Sequence, residues 1–399
     1  MMAAFDPALP SYVVDPYPTL AALRAEDPVW FSADLDAWIV TGYAECSAAL
    51  HDASTFRSDF LAVEGARWDE ARRRSEVFLG GVPALSAMAE PDHHRMRDTV
   101  SGVFSPRAVE RLRPRIEAIV NELLDATEPG EPFDVMGGLA YPLPRRVIAE
   151  QLGLAEADRE PLLRDASRIA RAMFGDGSSG EAEQALEAHA SLAAYLARAA
   201  STPGAYDVAG ALGRVLEARD AGTLSEVEVL ALMVDVALAG NDPTACLIGN
   251  GTLALLRHPE ERALLLDDPS LIPGAVEEFL RYDSPLHALM RIAARDAVLG
   301  GHEVRTGDVV YLLLGAANRD PAQFPDPDRL DVRRKSTRHL GFGSGSHHCL
   351  GAPLARMVAE VAFGAMLARF PAMRLAPLGL EREHGFELRA PIRLLVLTD

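Results

Sequence analysis

Lysine is almost missing from this sequence: Lys335 stands alone among 39 basic residues, and the rest are arginine. Against 58 acidic residues this leaves a net charge of −19. That balance argues against a general nucleic-acid-binding role, which needs a basic surface. With the abundant alanine, the arginine bias reads as composition rather than function. Cysteine is scarce too, with Cys46, Cys246 and Cys349 only. An odd, sparse set excludes a disulfide framework and suits a reducing cytosol. The N-terminal "MMAAFDPALPSYVVDPYPTL" lacks the basic region and apolar core of a signal peptide. No apolar run is long enough to read as a membrane span: the longest, near residues 229–240, is short and contains Asp235, so it reads as a buried helix. Internal repeats and low-complexity linkers are absent as well, and no domain boundary shows. What remains is 49% hydrophobic and 24% charged, ordinary for a globular enzyme of one large domain or two to three average ones.

Most of the chain reads as helix. Residues 92–128, 145–175 and 180–201 place apolar residues at three- and four-residue spacing. Asp92 and Ser105-Pro106 look like helix starts. Residues 226–258 form the longest candidate helix, apolar on nearly all sides as core elements are. "LIPGAVEEFLRYDSP" is a second core helix, with Pro285 as its stop signal. Strand signals are sparser: "AVLGGHEVRTGDVVYLLL" (297–314) and the C-terminal "FELRAPIRLLVLTD". Residues 318–348 form a long loop rich in Pro, Asp, Arg and Gly, and such loops are usually functional.

"FGSGSHHCLGAPLAR" (342–356) carries the most chemistry. Gly343, Gly345 and Gly351 crowd Cys349, allowing tight turns and close approach to a bulky partner. A helix pattern begins at about Leu350. Cys349 near its N-terminus would be favoured as a thiolate, which is a soft metal ligand. Two other readings stay open from spacing alone. The cysteine could be inert and buried, or it could bind zinc with His347 or His348, although no second Cys or His pair stands at structural-zinc spacing.

The run Phe342-x-x-Gly345-x-His347-x-Cys349-x-Gly351 resembles the haem-binding signature of cytochromes P450. Other motifs follow in the family's order. "EEFLR" gives Glu278-x-x-Arg281. "FPDPDRLD" matches the following meander, with Arg329 as third member of a Glu–Arg–Arg cluster. "EPDHHRMR" contains His93 and Arg97. "ALAGNDPT" falls on the family's oxygen-activating helix. The resemblance spans roughly residues 15–399 and implies one P450 domain over 1–399: mainly α with small β-sheets, haem lying between the long central helix and the cysteine-loop helix.

By that resemblance Cys349 is the proximal ligand of haem b, with Phe342, Gly343 and Gly351 around it and Ala239 and Gly240 beside the macrocycle. His93, Arg97, Arg291 and His347 would hold the propionates, since carboxylates gain charge-assisted bonds from such donors. Glu278, Arg281 and Arg329 would form a structural ionic cluster. On the long helix the family has an acid followed by a threonine that deliver protons. Asp242 matches the acid, but Pro243 stands where the threonine usually is, and Thr244 comes one place later. Pro243 removes an N–H, frees the carbonyl of Ala239 and kinks the helix. Proton delivery is then expected through Asp242 with Asn241, Thr244, water or a substrate hydroxyl. Cys246 is expected to be core packing.

The implied pocket lining is Phe78, Leu79, Val82, Pro83, Met88, Phe174, Asp235, Leu238, His287, Leu289 and Phe386. Asp235 either binds a substrate amine or hydroxyl or pairs with an arginine elsewhere. A mostly apolar lining suits a hydrophobic organic molecule. The expected function is therefore a soluble, cytoplasmic, monomeric monooxygenase of secondary metabolism that uses dioxygen. Electrons would come from NAD(P)H through a separate ferredoxin reductase and ferredoxin, with no nucleic acid or membrane partner. Arg107, Arg111, Arg113, Arg333, Arg334 and Lys335 are the candidate docking cations for the ferredoxin. Use of peroxide, coupling or desaturation chemistry, or a non-catalytic haem sensor, are the alternatives.

Overall fold

A computed structural model of the protein describes residues 5–7, 9–60, 73, 81–128, 130–174, 179–202, 204, 206–335, 338–382 and 386–398, with the backbone alone at 170–174, 179 and 181. The chain divides into two compact units: one gathers the residues up to Arg57, Arg113–Leu143 and everything from Pro243, and the other gathers Ser58–Leu112 and Pro144–Asp242.

The first unit holds the sheets. Five strands run in the order Val29–Ser32, Ala37–Val40, Val309–Leu312, Leu289–Ala293, Phe56–Arg57. Val309–Leu312 lies parallel to Ala37–Val40 and antiparallel to Leu289–Ala293, where Arg291 faces Val310 in register. Pro391–Leu397 pairs with Arg374–Arg382 and Phe133–Asp134. The segment 297–314 forms the expected short strands, Ala297–Leu299, His302–Val304 and Val309–Leu312.

Helices Asp242–Arg257, Ile272–Tyr282 and Ala352–Arg369 complete this unit's core. Phe279 and Phe363 pack with ring centroids 4.9 Å apart, each burying enough apolar surface to contribute about 1.5–3 kcal/mol. A side chain at Gly251 would collide with both rings, so only glycine lets Asp242–Arg257 approach so closely.

The second unit is helical: Asp92–Ser101, Pro106–Glu110, Glu156–Phe174, Ser179–Ser201, Ala211–Asp220 and Glu226–Ala239. The helical stretch expected over 92–128 is therefore divided. Ser105 is an N-cap whose hydroxyl accepts the Ala108 amide at 3.4 Å, and Pro106 opens the next helix. Ser225 and Glu228 form a reciprocal capping box at the start of Glu226–Ala239.

The expected long helix 226–258 is also two helices, Glu226–Ala239 and Asp242–Arg257, separated at Gly240-Asn241. Pro243 has no N–H for the carbonyl of Ala239, so the ladder stops and restarts with proline in its first turn, where it is tolerated. By length and composition Glu226–Arg257 could cross a membrane, but 61% of its apolar window is buried inside the protein, as in a core helix.

Candidate haem site

Cys349 sits on a loop closed on itself. Its amide donates to the Phe342 carbonyl at 2.9 Å, and the Gly343 amide donates to the Leu340 carbonyl at 2.8 Å. Gly343 and Gly345 have φ of +67° and +73°, a region that disfavours side chains. A Cβ at Gly345 would also strike the Leu50 carbonyl oxygen. The helix starts at Ala352 with Gly351 as N-cap, two residues later than the sequence pattern suggests. Cys349 is half-buried, while Cys46 and Cys246 are buried in the core, and none of the three is in a disulfide. Among the described residues, no three His, Cys, Asp or Glu side chains gather as a metal site.

A clamp that sequence reasoning missed holds this loop. Glu277 takes Arg356 Nε at 2.6 Å and His339 Nε2 at 3.2 Å. The Arg356 guanidinium lies over the Phe342 ring, 4.6 Å from its centroid. Burial pushes the Glu277 carboxyl up, but the hydrogen bonds and charges of His339 and Arg356 outweigh it and hold it down to about 2. Asn318 Oδ1 accepts the Leu340 amide at 2.7 Å. The available signal was the doublet Glu277-Glu278: one acid serves the loop and the other serves the meander.

Glu278 and Arg281 are fully buried and bidentate, both contacts at 2.8 Å. The third member is Arg334, not Arg329. Arg334 Nε lies 3.1 Å from Glu278 Oε2. The Arg329 side chain is exposed, and only its carbonyl takes part, accepting from Arg281 Nη2 at 3.1 Å. A turn closed by the Arg329 amide on the Asp326 carbonyl directs that backbone inward. The Asp331 amide then donates to Glu278 Oε1 at 2.9 Å, which brings position 334 alongside. Arg334 therefore leaves the expected docking set. Arg113 is 3.7 Å from Glu360, and Arg107, Arg111, Arg333 and Lys335 are exposed.

Arg291 is 6% exposed. Its hydrogen bond is to the neighbouring Met290 carbonyl at 2.8 Å, and no carboxylate pairs with it among the described residues. Burial alone lowers its pKa to about 10. A buried guanidinium with so little compensation calls for an anion. His347 is half-buried beside the cysteine. In the second unit His93 is buried, its Nδ1 3.0 Å from Glu90 Oε1, and Arg97 is half-buried on the same helix.

At the helix break, Asn241 Nδ2 donates to Asp242 Oδ1 at 2.6 Å, and Asn241 Oδ1 is buried without a partner among the described residues. Part of the Asp242 surface is open, yet its surroundings desolvate the carboxyl and raise its pKa against the pull of Asn241 and Arg145. Thr244 is buried in the first turn of the new helix. A side chain on Gly240 would strike Ile148. Asp235 has no arginine partner among the described residues; its Oδ2 accepts the Leu85 amide at 3.1 Å.

Two expected lining residues prove to be packed instead. His287 is 1% exposed, edge-on to Tyr12 and Tyr17 at 6.4 and 5.9 Å, with the close approach of Gly315 permitting it. Burial, then Arg389, lowers its pKa to about 3. Phe386 packs on Tyr311 and Phe5 at 5.1 and 6.1 Å. Both sit against N-terminal aromatics, and the His287 amide donates to the Glu387 carbonyl in the segment between the two C-terminal strands, a long-range pairing with no local pattern. Leu289 heads its strand and packs against the sheet core. Val82, Pro83 and Leu238 are half-buried, and Met88 is buried. Phe78 and Leu79 lie outside the described residues, as does the side chain of Phe174.

A half-buried thiol and a buried guanidinium with no carboxylate partner among the described residues suit a group that brings its own equatorial ligands and its own acids. Iron porphyrin is such a group, so the class is a haem-thiolate protein. The Cytochrome P450 family model matches residues 266–375. The 6-deoxyerythronolide B hydroxylase of Saccharopolyspora erythraea is 39% identical over 370 residues, 92% of this chain and 91% of that protein. The biotin biosynthesis cytochrome P450 of Bacillus subtilis is 34% identical over 393 residues, 98% of each. The crystal structure of epothilone D-bound cytochrome P450epoK matches with a TM-score of 0.91 over 99% of each chain, at 31% identity. The chain belongs to the cytochrome P450 family and is a P450 monooxygenase, an oxidoreductase. Membership implies haem, dioxygen, a small-molecule substrate and electrons from redox partners.

Proposed function

We propose that this enzyme hydroxylates a mostly hydrophobic small molecule of secondary metabolism. Relatives named as a 6-deoxyerythronolide B hydroxylase and a mycinamicin IV hydroxylase/epoxidase support that reading. The whole chain, both units included, is proposed to act as one catalytic domain and as a cytoplasmic monomer. Electrons are proposed to pass from NAD(P)H through a separate ferredoxin reductase and ferredoxin.

The observation that carries the proposal is the Cys349 loop, its amide fixed on the Phe342 carbonyl and Phe342 fixed under Arg356. This fixed loop supports Cys349 as the thiolate that would ligate haem b. Bound there, the haem supplies oxygen activation, which a thiolate ligand favours by donating electron density to the iron. Arg291, His347, His93 and Arg97 are the proposed propionate partners. Asp242 is the proposed proton-holding group, oriented through Oδ1 by Asn241, and its raised pKa brings it closer to the working range of a proton donor. Pro243 has neither N–H nor hydroxyl and relays nothing, so Thr244 or water completes the path. Asp235, Val82, Leu238 and Leu289 are proposed to meet the substrate.

Turnover tests this directly. Product should form with NADPH, ferredoxin and its reductase, and should require dioxygen. Product only with added peroxide would favour the peroxide-using alternative that Pro243 raises, and no product with any partner or oxidant would favour a haem sensor.

A further inference from the structure

Helix Glu226–Ala239 is buried on nearly every side; Val229 through Val234, Val236 and Ala237 are all buried. One stripe differs. Asp235 and Leu238 are half-buried, and Ala239 and Asp242 are exposed. Steps of three and four place Asp235, Leu238 and Ala239 on one helix face, and Asp242 opens the next helix beyond the break.

Asp235 is the unusual member. It interrupts a run of aliphatic side chains, yet no arginine, lysine or histidine pairs with it among the described residues. One oxygen, Oδ2, accepts the Leu85 amide at 3.1 Å from the short turn Leu85–Ala87. The other takes no hydrogen bond among the described residues. Burial raises its pKa to about 6 against the pull of that amide, so it is still largely ionised at neutral pH. A purely apolar ligand lying on this face would desolvate a carboxylate further and leave it unpaired, which is costly. A ligand bearing a positive charge would compensate it.

We propose that Asp235 determines specificity for substrates that join an apolar body to a protonated amine, paired through the carboxylate oxygen that Leu85 does not use. This rests on the reading above, that the enzyme is a haem monooxygenase whose substrate meets this helix.

The test uses the holoenzyme and two matched probes: an alkyl trimethylammonium ion and its neutral tert-butyl isostere. A quaternary nitrogen cannot ligate iron, so the spin-state shift reports pocket binding alone. The wild type should bind the cationic probe at least about tenfold more tightly, equivalent to about 1.4 kcal/mol. Asp235→Asn, with Asp235→Leu as a second neutral variant suited to an apolar helix, should erase that preference and retain binding of the neutral probe. Equal affinities in the wild type, no shift with the cation, or a preference that persists in both variants would each overturn the proposal. Persistence would assign the effect to the net charge of −19 or to Asp242. An intact carbon monoxide spectrum without charge preference sinks this inference alone, whereas loss of that spectrum in the wild type sinks the monooxygenase reading.

Discussion

Arg334 Nε lies 3.1 Å from Glu278 Oε2, inside a cluster to which Arg329 lends only a carbonyl oxygen. Glu278 is thereby shared by two arginines, Arg281 within its own helix and Arg334 across 56 residues of sequence. The pairing ties the meander to helix Ile272–Tyr282, which also carries Glu277 and through it the clamp on the cysteine loop.

Removing Arg334 should therefore leave Glu278 with a buried imbalance. Arg334→Ala is expected to cost about 3 kcal/mol. Arg329→Ala, which trims an exposed side chain and keeps the carbonyl, should stay within about 0.5 kcal/mol. Urea unfolding of the two variants compares them directly, and the reverse ranking would restore Arg329 to the cluster.

Arg291 carries a different expectation. Arg291→Leu replaces a buried, poorly compensated charge by an apolar side chain, so the apoprotein should be as stable as the wild type or more so. Haem should be lost to a scavenger protein at least about tenfold faster, since one charge-assisted bond is gone. Unchanged haem retention would remove Arg291 from the propionate set.

Two desolvated titratable groups give opposite pH signatures. Asp235 keeps its proton up to about pH 6 when folded but releases it near 3.8 when unfolded. Its contribution to stability falls as pH rises through that window, by at most about 3 kcal/mol. Asp235→Asn should thus raise the urea midpoint at pH 8 and leave it unchanged at pH 3.5. His287 stays neutral down to about pH 3 when folded but protonates near 6.5 when unfolded. Its stability is full above 6.5 and is lost as pH falls toward 3, so His287→Phe should flatten the acid limb of the stability profile. Parallel profiles for wild type and variants would contradict both assignments.

Pro243 can be tested by restoring what it displaces. Pro243→Thr supplies a hydroxyl and an N–H at the start of Asp242–Arg257, a position where loss of proline is inexpensive. Product formed per NADPH should rise several-fold and released peroxide should fall. If neither changes, the proton path already runs through Asp242 and Thr244 without help from position 243.

The legible parts of this molecule were those with a local physical cause. Gly343 and Gly345 announced left-handed turns around Cys349, Glu278 and Arg281 lay three apart on one helix, and Pro243 marked an interruption. The proline predicted a kink, and the structure shows a full break at Gly240-Asn241, with Gly240 packed against Ile148, a contact no local pattern shows. Arg334 was misassigned because the meander has no period, so only its hydrogen-bonded turns decide which arginine points inward. His287 and Phe386 are taken out of the pocket by contacts to the N-terminal aromatics Tyr12, Tyr17 and Phe5, which lie far away in sequence. The Glu277–Arg356 clamp joins residues 79 apart in sequence, and strand Ala37–Val40 pairs with Val309–Leu312 across a still longer stretch of chain. Asp235 stands out in sequence as an acid in an apolar helix, but its Leu85 partner is a backbone amide, which carries no side-chain signal.

The sulfur of Cys349 is the point on which the account turns, and the carbon monoxide difference spectrum of the reduced holoenzyme measures it most directly. The wild type should show the red-displaced Soret band of thiolate-ligated haem, and Cys349→Ala should lack it together with oxygen-dependent turnover. A freshly prepared wild-type holoenzyme without that band, or an alanine variant that keeps it, would contradict thiolate ligation by this residue.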